Sequence, residues 1–176
     1  MITPTLKTER ILLRPLSVSD AEAVFNNWAT DPDVTKYMRW SPHKSIEVTL
    51  EWLTAEEADI ASDKSFQWIF VSRENSEVFG SGGIIYNKEQ GMFEIGYVIM
   101  KKYWNQGLTT EAAVAMVDFA VRELNQKKLY ARHAKENPAS GKVMEKTGFV
   151  YLRDGQYASF DNERVFECKE YVLTAE

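Results

Sequence analysis

Cysteine is nearly absent from these 176 residues: Cys168 is the single one. An internal disulfide and a cysteine-rich metal site are thereby excluded. Histidine is almost as scarce, with His43 and His133 the only two. Neither belongs to a His, Asp and Glu group with the spacing of metal ligands, so no metal is expected. No third group is suggested to orient a Cys168–His133 pair, which argues against a thiol nucleophile. A basic surplus is also missing. The net charge of −5 leaves no electrostatic footprint for nucleic acid, and no Lys/Arg cluster suits an anionic membrane surface. No apolar run approaches the roughly 18 residues of a membrane span. The stretch from Met1 to Arg10 is polar, without the apolar segment of a secretion signal. A soluble, cytoplasmic protein that binds neither nucleic acid nor membrane is the expectation.

Two familiar phosphate-binding patterns are missing as well. The Gly141-Lys142 pair is followed by Val143 and has Glu136 where a Walker loop needs its first glycine. Gly80-Ser81-Gly82-Gly83 runs into Ile84-Ile85-Tyr86, a strand pattern rather than the helix of a dinucleotide fingerprint. What is present is Tyr103-Trp104-Asn105-Gln106-Gly107-Leu108-Thr109-Thr110-Glu111-Ala112, between a strand pattern and an Ala-rich helical one. The first turn of a helix has unpaired N–H groups and a partial positive charge. Such a junction fits a pyrophosphate cradle or an ordinary strand-to-helix turn.

With 44% hydrophobic residues the chain can fill a real core, and residues 1–176 read as one domain without repeats or linkers. A strand is expected from Glu9 to Pro15. Ser19 with Glu22 proposes a capping box for a helix through Trp28. Asp31-Pro32 opens a short helix near Tyr37, and Ser45 caps a longer one to about Ile60, followed by a loop from Ala61 to Lys64. Phe66–Ser72, Val78–Tyr86 and Met92–Ile99 read as three antiparallel strands with short connectors. A helix from about Thr110 to Leu124, polar along one stripe, crosses over to a parallel strand, Lys128–Ala134. Asn137-Pro138 opens a further helix ending at Gly148. Strands Phe149–Tyr157 and Val165–Thr174 finish the chain.

Five strings in order carry a resemblance: Thr8-Glu9-Arg10 with Leu13-Arg14-Pro15, Glu94-Ile95-Gly96-Tyr97, Tyr103-Trp104 through Gly107 to Thr110-Glu111-Ala112, Asn137-Pro138-Ala139-Ser140, and Glu145-Lys146-Thr147-Gly148-Phe149. Together they resemble the GNAT superfamily of acetyl-CoA-dependent N-acetyltransferases, most closely its ribosomal-protein N-terminal (Rim-type) branch. The resemblance implies an α/β (α+β) fold: a mixed, mostly antiparallel central sheet, splayed in the middle, with helices on both faces. It implies a cytoplasmic acyltransferase with acetyl-CoA as co-substrate. The pyrophosphate would lie on the loop of Asn105, Gln106, Gly107, Leu108, Thr109 and Thr110. The pantetheine arm would pair with backbone at Val98 and Ile99 and meet Asn137 and Ser140. Asn105 and Thr109 replace the small residues usual in that loop, and Gly141 replaces a usually larger residue.

Direct acetyl transfer needs a neutral amine and a proton for the leaving thiolate. Glu94 is the candidate base, with a structural carboxylate as the competing reading. Ser140 is the candidate acid, with a helix-surface serine as its rival. Strand alternation puts Glu94, Gly96 and Val98 on one face and Phe93, Ile95 and Tyr97 on the other, Tyr97 toward the core. By resemblance Tyr37, Arg39 and Trp40 border the acceptor. The acceptor is a primary amine, on a peptide N-terminus or a small molecule, attacked within a ternary complex. A non-catalytic acetyl-CoA sensor or interaction domain is the alternative. Relatives commonly dimerise, and the strand pair after Phe149 invites edge pairing, so a homodimer is expected.

Overall fold

The computed structural model describes residues 2–60 and 62–175. Met1, at the head of the polar opening stretch, and Ala61, at the start of the expected loop, lie outside the described residues. The strands are β1 (Leu6–Lys7), β2 (Ile11–Pro15), β3 (Ser65–Ser72), β4 (Val78–Asn87), β5 (Met92–Ile99), β6 (Lys128–Ala134), β7 (Val150–Ala158) and β8 (Val165–Thr174). The helices are α1 (Ala21–Val24), α2 (Pro32–Thr35), α3 (Ile46–Asp59), α4 (Leu108–Arg122) and α5 (Pro138–Lys146). One eight-stranded sheet runs in the order β1-β2-β3-β4-β5-β6-β8-β7.

Every neighbouring pair is antiparallel except β5 and β6. Those two are parallel and keep only Phe93↔Leu129 and Glu94↔Tyr130 in register before they part. The sheet therefore opens beyond Glu94, as the resemblance implies.

Alternation along the strands produces two cores. Phe66, Trp68 and Phe70 of β3 with Phe93 and Ile95 of β5 pack under Ala112, Met116 and Phe119 of α4. Phe119 meets the Phe66 and Trp68 rings edge-on at 5.2 and 5.4 Å. Ile69 points the other way, into a second cluster with Val24, Trp28 and Leu53 from the α1–α3 side, where Val98 packs at the margin. Each fully buried aromatic or large aliphatic side chain here contributes about 1.5–3 kcal/mol by leaving water.

The first helical segment departs from expectation. The capping box is made by Ser17 and Asp20, not Ser19 and Glu22. Asp20 receives the Ser17 N–H at 3.0 Å and is gripped by the Arg14 guanidinium, which fixes the helix start at this earlier turn. A 3-10 turn (Val18–Asp20), α1 and a π turn (Phe25–Ala29) follow without a break. The two-residue strand β1 is too short for a periodic signal. Among the described residues no helix is long and apolar enough to cross a membrane.

Candidate active site

Past Glu94 the backbone of β5 has β4 on one side and the opening on the other. Met100 donates to Phe79 on β4 at 2.7 Å, and the carbonyls of Gly96 and Val98 also lie against β4 glycines. Alternation therefore turns the Tyr97 and Ile99 backbone groups toward the opening. Val98, expected beside Ile99 at this edge, instead turns its backbone groups to β4, and the residue whose groups share the open edge with Ile99 is Tyr97. The Trp104 indole holds the Ile99 carbonyl at 3.0 Å. A Cβ on Gly96 would meet nothing within 4 Å, so this strand glycine leaves free space beside the cleft rather than accommodating a bulge.

The loop before α4 is built from two left-handed residues. Asn105 has φ 59° and Gly107, the N-cap of α4, has φ 77°. Asparagine tolerates this conformation better than most residues, which explains how it stands in a loop where glycine is usual. The helix begins at Leu108, so its open N–H groups lie earlier than the expected start at Thr110.

Two of the distant sequence strings meet here. Glu111, in the first turn of α4, accepts from Thr8 Oγ1 at 2.6 Å and from the Arg10 N–H and Nε at 2.8 and 2.7 Å. Arg10 also donates to the Gln106 carbonyl at 2.9 Å, clasping loop and helix together. Burial works to raise the Glu111 pKa, but the bonds from Thr8 and Arg10 outweigh it and hold the carboxyl below its ordinary value.

Across the opening, Asn137 caps α5 by accepting the Ser140 N–H at 3.4 Å, which leaves its amide N–H groups available. The Tyr97 hydroxyl reaches over from β5 to within 3.1 Å of both the Ser140 hydroxyl and carbonyl. Burial pushes the Tyr97 phenol up to about 12, so it stays protonated at neutral pH. Tyr97 thus does more than fill core, a role that alternation alone could not reveal. Gly141 also gains a reason: a Cβ there would fall 2.6 Å from the His133 imidazole.

The opposite face of the splay carries Glu94. Arg132 of β6 donates Nε to Glu94 at 2.9 Å and Asn87 donates its amide at 2.7 Å. The Arg132 and Glu94 side chains are 16% and 23% exposed, so this is a partly sheltered pair. Neither partner was identifiable from sequence, because both reach Glu94 from neighbouring strands through register. Arg132 lies 5.4 Å from the Tyr157 ring. The Tyr157 hydroxyl donates to the Tyr37 carbonyl at 2.7 Å, and burial pushes this phenol up to about 12. Arg164 donates to the Lys36, Met38 and Trp40 carbonyls, strapping the segment after α2 to the β7–β8 hairpin.

Between the two faces lies one cleft of about 750 Å³. Among the expected site residues, Tyr37, Arg39, Glu94, Val98, Ile99, Asn105, Gly107, Thr109, Thr110, Asn137 and Ser140 border it. Gln106, Leu108 and Trp40 do not. The Gln106 side chain turns back to the Lys102 carbonyl, and Leu108 is buried in the core. Trp40 leans on His43, ring centroids 5.1 Å apart, and on the second core.

A parallel strand pair that parts over a helix N-terminus, with ionisable groups on the far face, is the frame of an acyl-transfer enzyme. The Acetyltransferase (GNAT) domain profile matches residues 10–150, and the chain belongs to this family of acetyltransferases. It is 29% identical over 158 residues to the "Uncharacterized N-acetyltransferase p20" of Bacillus licheniformis, covering 88% of each chain. A solved GNAT-family acetyltransferase from Bacillus anthracis superposes with a TM-score of 0.83 at 23% identity, covering 97% of this chain and 98% of its own. The Microcin C7 self-immunity acetyltransferase MccE, solved with acetyl-CoA and AMP, gives a TM-score of 0.83 at 16% identity, covering 96% and 94%.

Proposed function

We propose that the protein transfers an acetyl group directly from acetyl-CoA to a primary amine, an N-terminal α-amine or a small-molecule amine, in a ternary complex. The observation carrying this reading is the through-going split below Glu94 and Tyr130. It sets the α4 loop and Ser140 on one face and Glu94 on the other. MccE, a structural neighbour holding acetyl-CoA, supports the choice of donor. Relatives named N-acetyltransferases favour catalysis over a silent sensor. Placement in the Rim-type branch rests on the resemblance carried by the five strings together. A Vibrio cholerae neighbour provisionally assigned as a ribosomal-protein-serine acetyltransferase, 18% identical, is compatible with it.

The N–H groups from Asn105 to Thr110 would hold the pyrophosphate, and the Tyr97 and Ile99 backbone edge would pair with pantetheine amides as an added strand does. Asn137 would meet the same arm through its free amide. The amine nitrogen attacks the thioester carbonyl, the new N–C bond forms and the C–S bond breaks. Glu94 takes the amine proton through water, using lone-pair capacity beyond what Arg132 and Asn87 occupy. Ser140, hydrogen-bonded to Tyr97, passes a proton to the departing thiolate as its own proton is replaced from solvent, so that no alkoxide is left. A free α-amine, with a pKa of about 7.7–8.0, is partly neutral at pH 7, whereas lysine near about 10.4 is not. A remote base therefore suits a small or N-terminal amine of modest pKa better than a protein lysine.

The test is release of CoA thiol when acetyl-CoA and an amine panel are supplied. Turnover with at least one amine is the expected result. Acetyl-CoA binding without turnover on any amine would assign the sensor role instead.

A further inference from the structure

Resting on the proposed amine acetylation, we infer that the acceptor is a small molecule carrying a carboxylate or phosphate beside its amine, and that Arg39 receives that anion.

The charges lining the cleft carry this inference. Its lining carboxylates are Asp33 and Glu94, and both are already engaged. Glu94 is paired with Arg132 at 2.9 Å, and Asp33 is paired with Lys101. A polyamine or other multiply cationic acceptor would thus meet no unpaired lining carboxylate among the described residues. Arg39 is the reverse case. It borders the cleft and has no carboxylate partner among the described residues.

Its guanidinium is nevertheless held in place. Nε donates to the Ala158 carbonyl at 2.9 Å, and the group lies 4.4 Å from the Phe160 ring centroid. The Phe160 N–H donates back to the Arg39 carbonyl at 2.7 Å, fastening its backbone to the same hairpin. With Nε spent, the terminal nitrogens keep a planar pair of donors, the geometry that binds a carboxylate or phosphate in bidentate fashion. A pre-positioned fork loses less conformational freedom on binding than a free side chain.

Nearby charges leave this role to Arg39. Arg164 is consumed by three carbonyls of the 36–40 segment. The hairpin acid Asp161 accepts from Ser159 and from the Glu163 N–H, and neither Asp161 nor Glu163 borders the cleft. Lys36 stands over the Tyr37 ring at 5.2 Å and does not itself border the cleft. Lys142 and Lys146 border the cleft, but from α5 on the opposite face.

Matched acceptors test the idea: an α-amino acid against its amide, phosphoethanolamine against ethanolamine, and spermidine, each with wild type, Arg39→Lys and Arg39→Glu. Wild type should prefer an acid-bearing member over its neutral partner, and whether the first or the second pair shows this tells carboxylate from phosphate. Arg39→Glu should lower that preference ratio by about tenfold or more, with relative gain for spermidine. Arg39→Lys, lacking the fork, should fall between. Melting temperature and the KM for acetyl-CoA, followed in parallel, separate loss of recognition from loss of fold. Equal use of acidic and neutral partners, a wild-type preference for spermidine, or an unchanged ratio in Arg39→Glu would overturn the inference while leaving acetyl transfer intact. Failure of every amine to release CoA would instead sink the proposed transfer and this inference with it.

Discussion

Glu94 and Gly107 pose the sharpest questions at the scale of single residues. Gly107 has φ 77°, a conformation that a β-branched residue adopts only under strain. Its surroundings are roomy, since a Cβ would find only Arg10 at 3.5 Å. Gly107→Val should therefore weaken acetyl-CoA binding by changing loop geometry and crowding the ligand side. Calorimetric titration reads this, and an unchanged affinity would mean that the phosphates lie elsewhere. Glu94→Gln should lower kcat by about 100-fold or more if the carboxylate takes the amine proton. An undiminished kcat would make it a purely structural partner of Arg132 and Asn87. Glu94 could be singled out from its string, yet its partners could not, because pairing depends on the register of β4, β5 and β6. The same holds for the bond between Tyr97 and Ser140, which spans the split between two elements.

Between elements, the clasp of Thr8 and Arg10 on Glu111 joins the start of the chain to the first turn of α4. The two strings were visible, but not that they touch, since they lie far apart in sequence. Glu111 is held below its ordinary pKa in the folded protein. Its contribution to stability is therefore present above the unfolded carboxylate pKa of about 4.3 and lost as pH falls through the lower folded value. Glu111→Gln should destabilise the fold by about 1–3 kcal/mol at neutral pH, and the deficit should shrink in strong acid. Denaturant melts of both proteins across pH check this, and a deficit independent of pH would remove the charge from the explanation. Most element boundaries were legible from periodicity and caps. The first helical stretch runs through Trp28 as its pattern suggests but starts at Ser17 rather than Ser19, because the Arg14–Asp20 bond that selects the earlier cap joins two elements.

On the scale of the molecule, β7 is the longer of the two edge strands of the sheet, with Val150, Tyr151 and Leu152 at 68%, 51% and 44% exposure. Such an edge invites pairing with a second copy, and we expect a homodimer through it. Sedimentation should show a species near twice 20.2 kDa, and a monomer at high concentration would contradict this. The splay itself was foreseen through the resemblance alone, because periodicity shows that β5 and β6 are strands but not where they part. In the proposed mechanism that parting would let both substrates be held at once, with no covalent stop on the enzyme. Cys168 fits this view, being fully buried with its thiol pushed up by burial. Initial rates measured while acetyl-CoA and the best acceptor are varied together test direct transfer most directly. Double-reciprocal lines should intersect, as a ternary complex requires; parallel lines, the mark of an acetyl-enzyme intermediate, would contradict direct transfer.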